Sequence, residues 1–221
     1  MSKLTAVMIG ATGLVGSQLL AQLLDDDRFS KVISFSRRNT EKTSTKLDER
    51  IVDFDTPDAW SPFVTGAVAF SALGTTIGQA GSQAAQKKVD YTYQFEFAKT
   101  AAKNGVKTFA LVSSGGASPN SISFYSRIKG ELDRDVQTLG FERVRIFRPS
   151  LLAGNREKSR AGEKIGSALL GAVNAIGIAK KYREIRGDVV AKAMINSVFD
   201  LKPGTHMFEL DEVFEEASRA R

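Results

Sequence analysis

The chain contains no cysteine, a single histidine, one tryptophan and five prolines in 221 residues. The absence of cysteine excludes disulfides, thiolate metal sites and a cysteine nucleophile, and it fits a cytoplasmic location, which is the expectation here. One histidine argues against a histidine-based metal centre, so no metal is expected. No apolar run approaches the roughly 20 residues of a membrane span, and Met1-Ser2-Lys3 passes straight into an apolar strand, the expectation being no signal peptide and no membrane contact. Long blocks of one charge are missing too. The net charge is +6, yet the basic residues are scattered and no basic run is interleaved with aromatics, which argues against specific nucleic-acid binding.

What is present is an ordinary globular composition, 42% hydrophobic and 25% charged. At this length it suits one domain, residues 1–221, with a substantial core and with residues 150–221 supplying a small substrate-side region.

The most informative stretch is Met8-Ile9-Gly10-Ala11-Thr12-Gly13-Leu14-Val15-Gly16. Leu4 to Ile9 is apolar and reads as a strand buried on both faces of a parallel sheet. Leu14, Val15, Leu19, Leu20, Leu23 and Leu24 then recur at helical spacing until the acidic cluster Asp25-Asp26-Asp27. Between strand and helix, glycines allow a tight turn and let a diphosphate approach the backbone, where the first free N–H groups of the helix and its dipole favour negative charge. Gly10, Thr12, Gly13, Leu14, Val15 and Gly16 are therefore the candidate dinucleotide cradle. The fold expected is an α/β, Rossmann-like, doubly wound parallel sheet with helices on both faces.

A second strand, Lys31 to Phe35, ends in Ser36-Arg37-Arg38. About twenty residues past the glycine turn, NAD-specific sites place an acid on the ribose 2′-hydroxyl. Two arginines at this place suit a 2′-phosphate by charge and forked hydrogen bonding, so NADP(H) is the expected cofactor. Ile51 to Phe54 reads as a third strand with Asp53 placed to meet an adenine amino group or to serve the turn. Ala67 to Leu73 reads as a fourth, leading into Gly74-Thr75-Thr76, where small residues would let the chain pass close to a ribose and nicotinamide. A helix is expected from Val89 or Asp90 to Asn104-Gly105, with Tyr91, Tyr93, Phe95 and Phe97 as packing residues.

Val106 to Val112 reads as the fifth strand, ending in Ser113-Ser114. Downstream, Tyr125 and Lys129 lie one turn apart on a helix marked by Ile128, Leu132 and Val136. A free phenol has a pKa of about 10, and an ammonium one turn away favours the phenolate and can also bind a nicotinamide ribose. Ser113 or Ser114 would hold a substrate carbonyl, with Ser114 preferred because it lies just past the strand. Val144 to Phe147 is the expected sixth strand. Gly166 to Ile178 reads as a helix for a pocket, a subunit contact or internal packing. Asp188 is expected to cap a helix ending before Pro203-Gly204, and His206 to Leu210 and Asp211 to Ala220 read as a last strand and helix.

Taken together, Gly10-Ala11-Thr12-Gly13, Ser36-Arg37-Arg38, Leu73-Gly74-Thr75-Thr76, Ser113-Ser114, Tyr125 to Lys129 and Arg148-Pro149 through Arg156 to Arg160 resemble the Tat-interacting-protein oxidoreductase group of atypical short-chain dehydrogenases/reductases, over residues 4 to 200. The resemblance implies a compact NADPH-binding Rossmann domain. It places Arg37 and Arg38 on the 2′-phosphate, Leu73 and Gly74 along the cofactor, Tyr125 as proton donor with Lys129 as its partner, and Leu152 and Arg160 toward the cofactor from the C-terminal side.

The activity expected is NADPH-dependent hydride transfer to or from a small carbonyl or alcohol substrate, with Ser114, Tyr125 and Lys129 as the catalytic set. Two other readings fit the same residues. One is an NADPH-binding redox sensor that signals through a protein partner. The other is a nucleotide-sugar epimerase or dehydratase, disfavoured because only about 90 residues follow Lys129 to build a substrate lobe. A homodimer is left open.

Overall fold

The computed structural model describes residues 3–153 and 184–219. Its architecture follows from strands whose alternate residues are apolar on both sides. In β1 (Leu4–Ile9), Ala6 and Met8 enter one core while Val7 and Ile9 enter the other. The period-2 alternation repeats in β4 (Val68–Ser71) and β5 (Thr108–Val112), where Val68, Phe70, Ala110 and Val112 face the first core and Ala69, Phe109 and Leu111 the second. Strands of this kind need cover on two faces, and helices supply it.

Among the described residues seven strands form one sheet in the order β3-β2-β1-β4-β5-β6-β9, every neighbouring pair parallel. Here β2 is Phe29–Ser36, β3 Leu47–Ile51, β6 Arg143–Arg148 and β9 Gly204–Glu209. One face carries α1 (Leu14–Asp25) and α7 (Gly187–Ser197), which meet each other through Leu19, Leu20, Leu23, Val190 and Met194, with α8 (Asp211–Ser218) joining through Val213. The other face carries α5 (Tyr93–Lys103) and α6 (Phe124–Val136) through Phe97, Ala98, Ala101, Leu132 and Val136. Short elements complete the chain: α2 (Pro57–Trp60) with a 3₁₀ turn (Ser61–Phe63), α3 (Ile77–Ala80), α4 (Gln83–Lys87), and a small ribbon of β7 (Leu152–Ala153) with β8 (Ile185–Arg186). This is the doubly wound Rossmann-like fold, with the order of strands reversing beside β1.

Several expectations shift. The third strand is Leu47–Ile51, not Ile51 to Phe54. Phe54 is buried outside the sheet, against Trp60 and Tyr93, which is why an apolar run there is not a strand. The helix expected to begin at Val89 or Asp90 is already under way. It enters through α4 and passes a π-helical turn, Lys88–Thr92, in which the Tyr93 N–H donates to the Lys88 carbonyl, before α5. Asp188 does not cap α7. Arg186 occupies the N-cap position without a side-chain cap bond, and Asp188 sits in the first turn, ion-paired to Arg186 at 2.8 Å. Part of the stretch assigned to the substrate side builds the fold instead, β9 as the sheet's seventh strand and α7 as cover for it. The apolar stretch Gly166 to Ile178 lies outside the described residues.

Candidate functional site

At the carboxyl end of β1 the chain reverses into α1 through a turn that only glycine permits. Gly10 has φ +88°, and a Cβ there would overlap the Ala72 carbonyl carbon at the end of β4. A Cβ on Gly16 would overlap the Gly10 carbonyl oxygen, so the first turn of α1 presses directly on the strand end. The Gly13 N–H donates to the Gly10 oxygen at 2.9 Å and closes the loop. Val15 and Gly16 are buried, whereas Thr12, Gly13 and Leu14 are exposed at the rim. The first-turn N–H groups of α1 are those no helical carbonyl can satisfy, and they lie where the turn opens.

The end of β2 points the two arginines outward. Ser36 is buried and its hydroxyl donates to the Arg38 carbonyl at 2.6 Å, which fixes the turn. Arg37 and Arg38 are exposed, and no carboxylate among the described residues pairs with either. Asp53 is exposed, its Oδ1 accepting from the Asp55 N–H at 2.9 Å and its carbonyl from Trp60 Nε1 at 3.2 Å. Its visible task is therefore the turn that follows β3.

Past β4, Ala72 and Leu73 supply the backbone on which the Gly10 turn packs, and Gly74 and Thr75 follow directly. The Thr75 N–H donates to Asp90 Oδ2 at 3.3 Å, tying this segment to the helix behind it. Thr75, Thr76, Ile77, Gln83, Gln86, Ser123, Phe124 and Tyr125 line a cleft of about 460 Å³. A second cleft, lined by Gln22, Asp188, Lys192 and Phe214 among others, holds none of the candidate catalytic or cofactor-binding residues.

Tyr125 and Lys129 both lie on α6, as their spacing requires, but in different surroundings. Tyr125 is 38% exposed and borders the cleft. Lys129 is buried, its ammonium donating to the Val112 carbonyl at 3.3 Å and lying 3.6 Å from Asp90 Oδ1. Burial pushes the Asp90 carboxyl above its ordinary value, with Lys129 pulling it back.

The two serines after β5 divide. Ser113, a candidate for the cofactor side or the substrate carbonyl, is buried and donates to Asp133 Oδ2 at 2.9 Å, a bond inside the protein. Ser114 is half-buried, its hydroxyl making only a 3.4 Å contact to the Gly115 carbonyl. Asp133 also accepts from Arg148 Nε at 2.9 Å, and Arg148 reaches Glu209 at 2.8 Å, joining α6, β6 and β9 at the carboxyl edge. Burial raises the Asp133 carboxyl above its ordinary value, opposed by the Ser113 and Arg148 hydrogen bonds. Leu152 pairs with Ile185 in the small ribbon, and Arg160 lies outside the described residues. The sequence reading missed Asp90 and Asp133. Asp133 stands one helical turn past Lys129, beside the buried stripe of Ile128, Leu132 and Val136, and that position was a usable signal.

Comparison with known proteins agrees with this architecture. A family described as NAD(P)H-binding matches residues 10–180. The mitochondrial protein fmp52 of Aspergillus niger is 34% identical over 199 residues, covering 86% of this chain and 85% of its own, and fmp52-1 of Aspergillus oryzae is 37% identical over 200 residues, covering 86% and 84%. Among solved structures, a UDP-glucose 4-epimerase from Thermotoga maritima overlays 96% of this chain and 80% of its own with a TM-score of 0.68 at 16% identity. A UDP-N-acetylglucosamine 4-epimerase from Methanobrevibacter ruminantium overlays 97% and 81% with a TM-score of 0.70 at 18% identity. At that identity the likeness is one of fold. The expected cytoplasmic location is overturned by these relatives, which are named mitochondrial; freedom from cysteine does not separate the two compartments. With the strand order, the glycine turn and these relatives in agreement, the chain belongs to the NAD(P)H-binding family and is an atypical short-chain dehydrogenase/reductase.

Proposed function

We propose that this protein is an NADP(H)-dependent oxidoreductase that interconverts a small carbonyl compound and its alcohol, with Tyr125 as the acid/base. The observation carrying the reading is that Tyr125 borders a cleft whose other wall, Thr75 to Ile77, follows closely in the chain on Ala72 and Leu73, the backbone against which the Gly10 turn packs. The residues fit the cofactor. Gly10 and Gly16 let the first turn of α1 press against the end of β1, so that the free N–H groups of the helix start open at the turn, and Arg37 and Arg38 stand exposed where a 2′-phosphate would sit.

A bound nicotinamide supplies or accepts the hydride. In the reducing direction the Tyr125 hydroxyl gives its proton to the carbonyl oxygen as the carbon gains hydride, and the phenolate is reprotonated from water. Ser114 donates a hydrogen bond to the same oxygen and stabilises the charge that develops there. Lys129 would act on the ribose and on Tyr125 as the cationic half of its buried pair with Asp90. Gly13 and the first turn of α1 would hold the diphosphate, Leu73, Gly74 and Leu152 would flank the nicotinamide half, and Asp53 would serve the adenine side.

The test is a titration of the purified protein with NADPH and NADH, followed by nicotinamide fluorescence and repeated with Arg37→Ala. We expect NADPH to bind more tightly and the variant to lose about 1–3 kcal/mol of that preference, the size of a charge-assisted contact. Equal affinity for the two nucleotides in the unaltered protein would remove the NADP(H) assignment. Conversion of no member of a panel of aldehydes, ketones and quinones, with NADPH bound, would favour the sensing role instead.

A further inference from the structure

Two opposite charges are buried together beneath the proton donor. The side chains of Lys129 and Asp90 are 3% and 1% exposed, with Nζ 3.6 Å from Oδ1. Oδ1 makes no hydrogen bond, and a Cβ on Gly74 would lie 3.3 Å from it, so this oxygen sits between the ammonium and the backbone of the cleft wall. Oδ2 accepts from the Thr75 N–H. The backbone that carries Asp90 is itself fixed. Gln94 donates to the Asp90 carbonyl at 2.9 Å and accepts from the Ser71 hydroxyl at 2.7 Å, bonding the π turn to the end of β4.

We propose that Asp90 is a positioning residue for Lys129: its carboxylate holds the ammonium as half of a neutral buried pair and thereby sets how much positive charge reaches the Tyr125 hydroxyl. The inference rests on the reading of Tyr125 as the proton donor. A lysine alone, one turn below a phenol, would act on it with a full charge in a medium that screens poorly. Paired with Asp90, it acts as a dipole, whose effect falls off faster with distance. The other charges on this side of Lys129 come from three elements. Asp133 lies on α6 one turn beyond, and behind it Arg148 on β6 bridges to Glu209 on β9. Arg148 stands against Asp133 much as Lys129 stands against Asp90, so the four charges form two adjacent pairs, with Glu209 at the exposed margin. Removing Asp90 upsets the balance in favour of Lys129, and Tyr125 is the titratable group one turn away.

The experiment titrates the cofactor-free protein carrying tyrosine labelled with ¹³C at Cζ, the Tyr125 signal being assigned by its loss in Tyr125→Phe. In Asp90→Asn we expect the Tyr125 pKa to fall by about one unit relative to the unaltered protein, as an unbalanced cation predicts. In the double variant Asp90→Asn/Lys129→Met, which leaves no buried charge without a partner at this pair, the pKa should stay within about 0.3 units of the unaltered value. An unchanged or raised pKa in Asp90→Asn overturns the proposal. So does a rise of about one unit or more in the double variant, since Lys129 would then act unscreened. If the single variant does not fold, the double variant decides alone. None of these signals requires cofactor or substrate. A protein whose carbonyl turnover survives Tyr125→Phe would lose the assignment of the proton donor while the charge measurement stands.

Discussion

The hydroxyl of Ser113 donates to Asp133 at 2.9 Å, so of two adjacent serines at the end of β5 one is committed to the protein interior while the other stays half-buried with a 3.4 Å contact to the Gly115 carbonyl. Alternation along a strand produces the division: Val112 turns to one core, Ser113 to the opposite side, and Ser114 emerges where the strand ends. Replacing Ser113 by Ala removes a donor from a buried carboxylate and should cost about 1–3 kcal/mol of stability. Ser114→Ala should stay within about 0.5 kcal/mol of the parent and lower carbonyl turnover. Urea unfolding of the two variants side by side, with NADPH consumption on a carbonyl panel, checks both halves.

Gly16→Ala tests the pressure of α1 on β1. The new methyl would overlap the Gly10 oxygen, an atom held by the Gly13 N–H and unable to retreat without opening the turn. We expect a loss of about 2–4 kcal/mol in stability, typical of a severe backbone clash, and NADPH affinity reduced beyond detection in the fluorescence titration. Retained affinity would mean that α1 can slide outward without disturbing the phosphate-side N–H groups.

Arg145 is buried at the far end of β6 and donates to the carbonyls of Gly204, Asp200 and Lys202 at 2.6–2.9 Å, stitching the segment before β9 to the sheet. Arg145→Met keeps the apolar stem and strips the donors from three carbonyls. A destabilisation of about 2–4 kcal/mol is expected, seen as a lower thermal midpoint. NADPH affinity measured well below that midpoint should be unchanged, because these groups lie at the end of the sheet opposite the cleft.

Acid sensitivity is set in part at Asp26. Its carboxylate accepts from Arg28 Nε, the guanidinium NH2 and the Arg28 backbone N–H, and the Arg28 side-chain hydrogen bonds hold its pKa below the ordinary 3.8 against the opposing cost of burial. A depressed carboxylate adds stability above its unfolded pKa and loses it as pH falls through the folded one. Asp26→Asn should therefore be less stable than the parent by about 1 kcal/mol near neutrality, with the difference shrinking as the pH falls from the ordinary 3.8 through the lower folded-state pKa. Denaturant midpoints across that range give the answer; a gap that stays constant with pH would assign the loss to packing.

How much was legible in the sequence depended on whether a residue's environment is local. The turn from Ile9 to Gly16 was readable because strand, glycines and helix are contiguous, and the Arg37-Arg38 pair because it follows a buried strand directly. β3 was not. Leu47–Ile51 is an edge strand carrying Asp48, Glu49 and Arg50, which its position permits, while the apolar Phe54 nearby packs on Trp60 outside the sheet. Asp90 was read as a helix start because an acid before an aromatic run is a common N-terminal signal. Its burial depends on Lys129, 39 residues away in the chain, and on the turn after β4, neither of which spacing can reveal.

The π turn at Lys88–Thr92 has a further consequence in terms of descent. A π turn is what a helix becomes when it absorbs one extra residue, and each such residue turns the two flanking segments by about 100° relative to one another. Gln86, which donates to the Thr75 carbonyl in the loop after β4, and Gln94, which holds Ser71 at the end of β4, lie on opposite sides of that insertion. A related chain shorter by one residue here would form an uninterrupted α-helix and could keep only one of those two contacts.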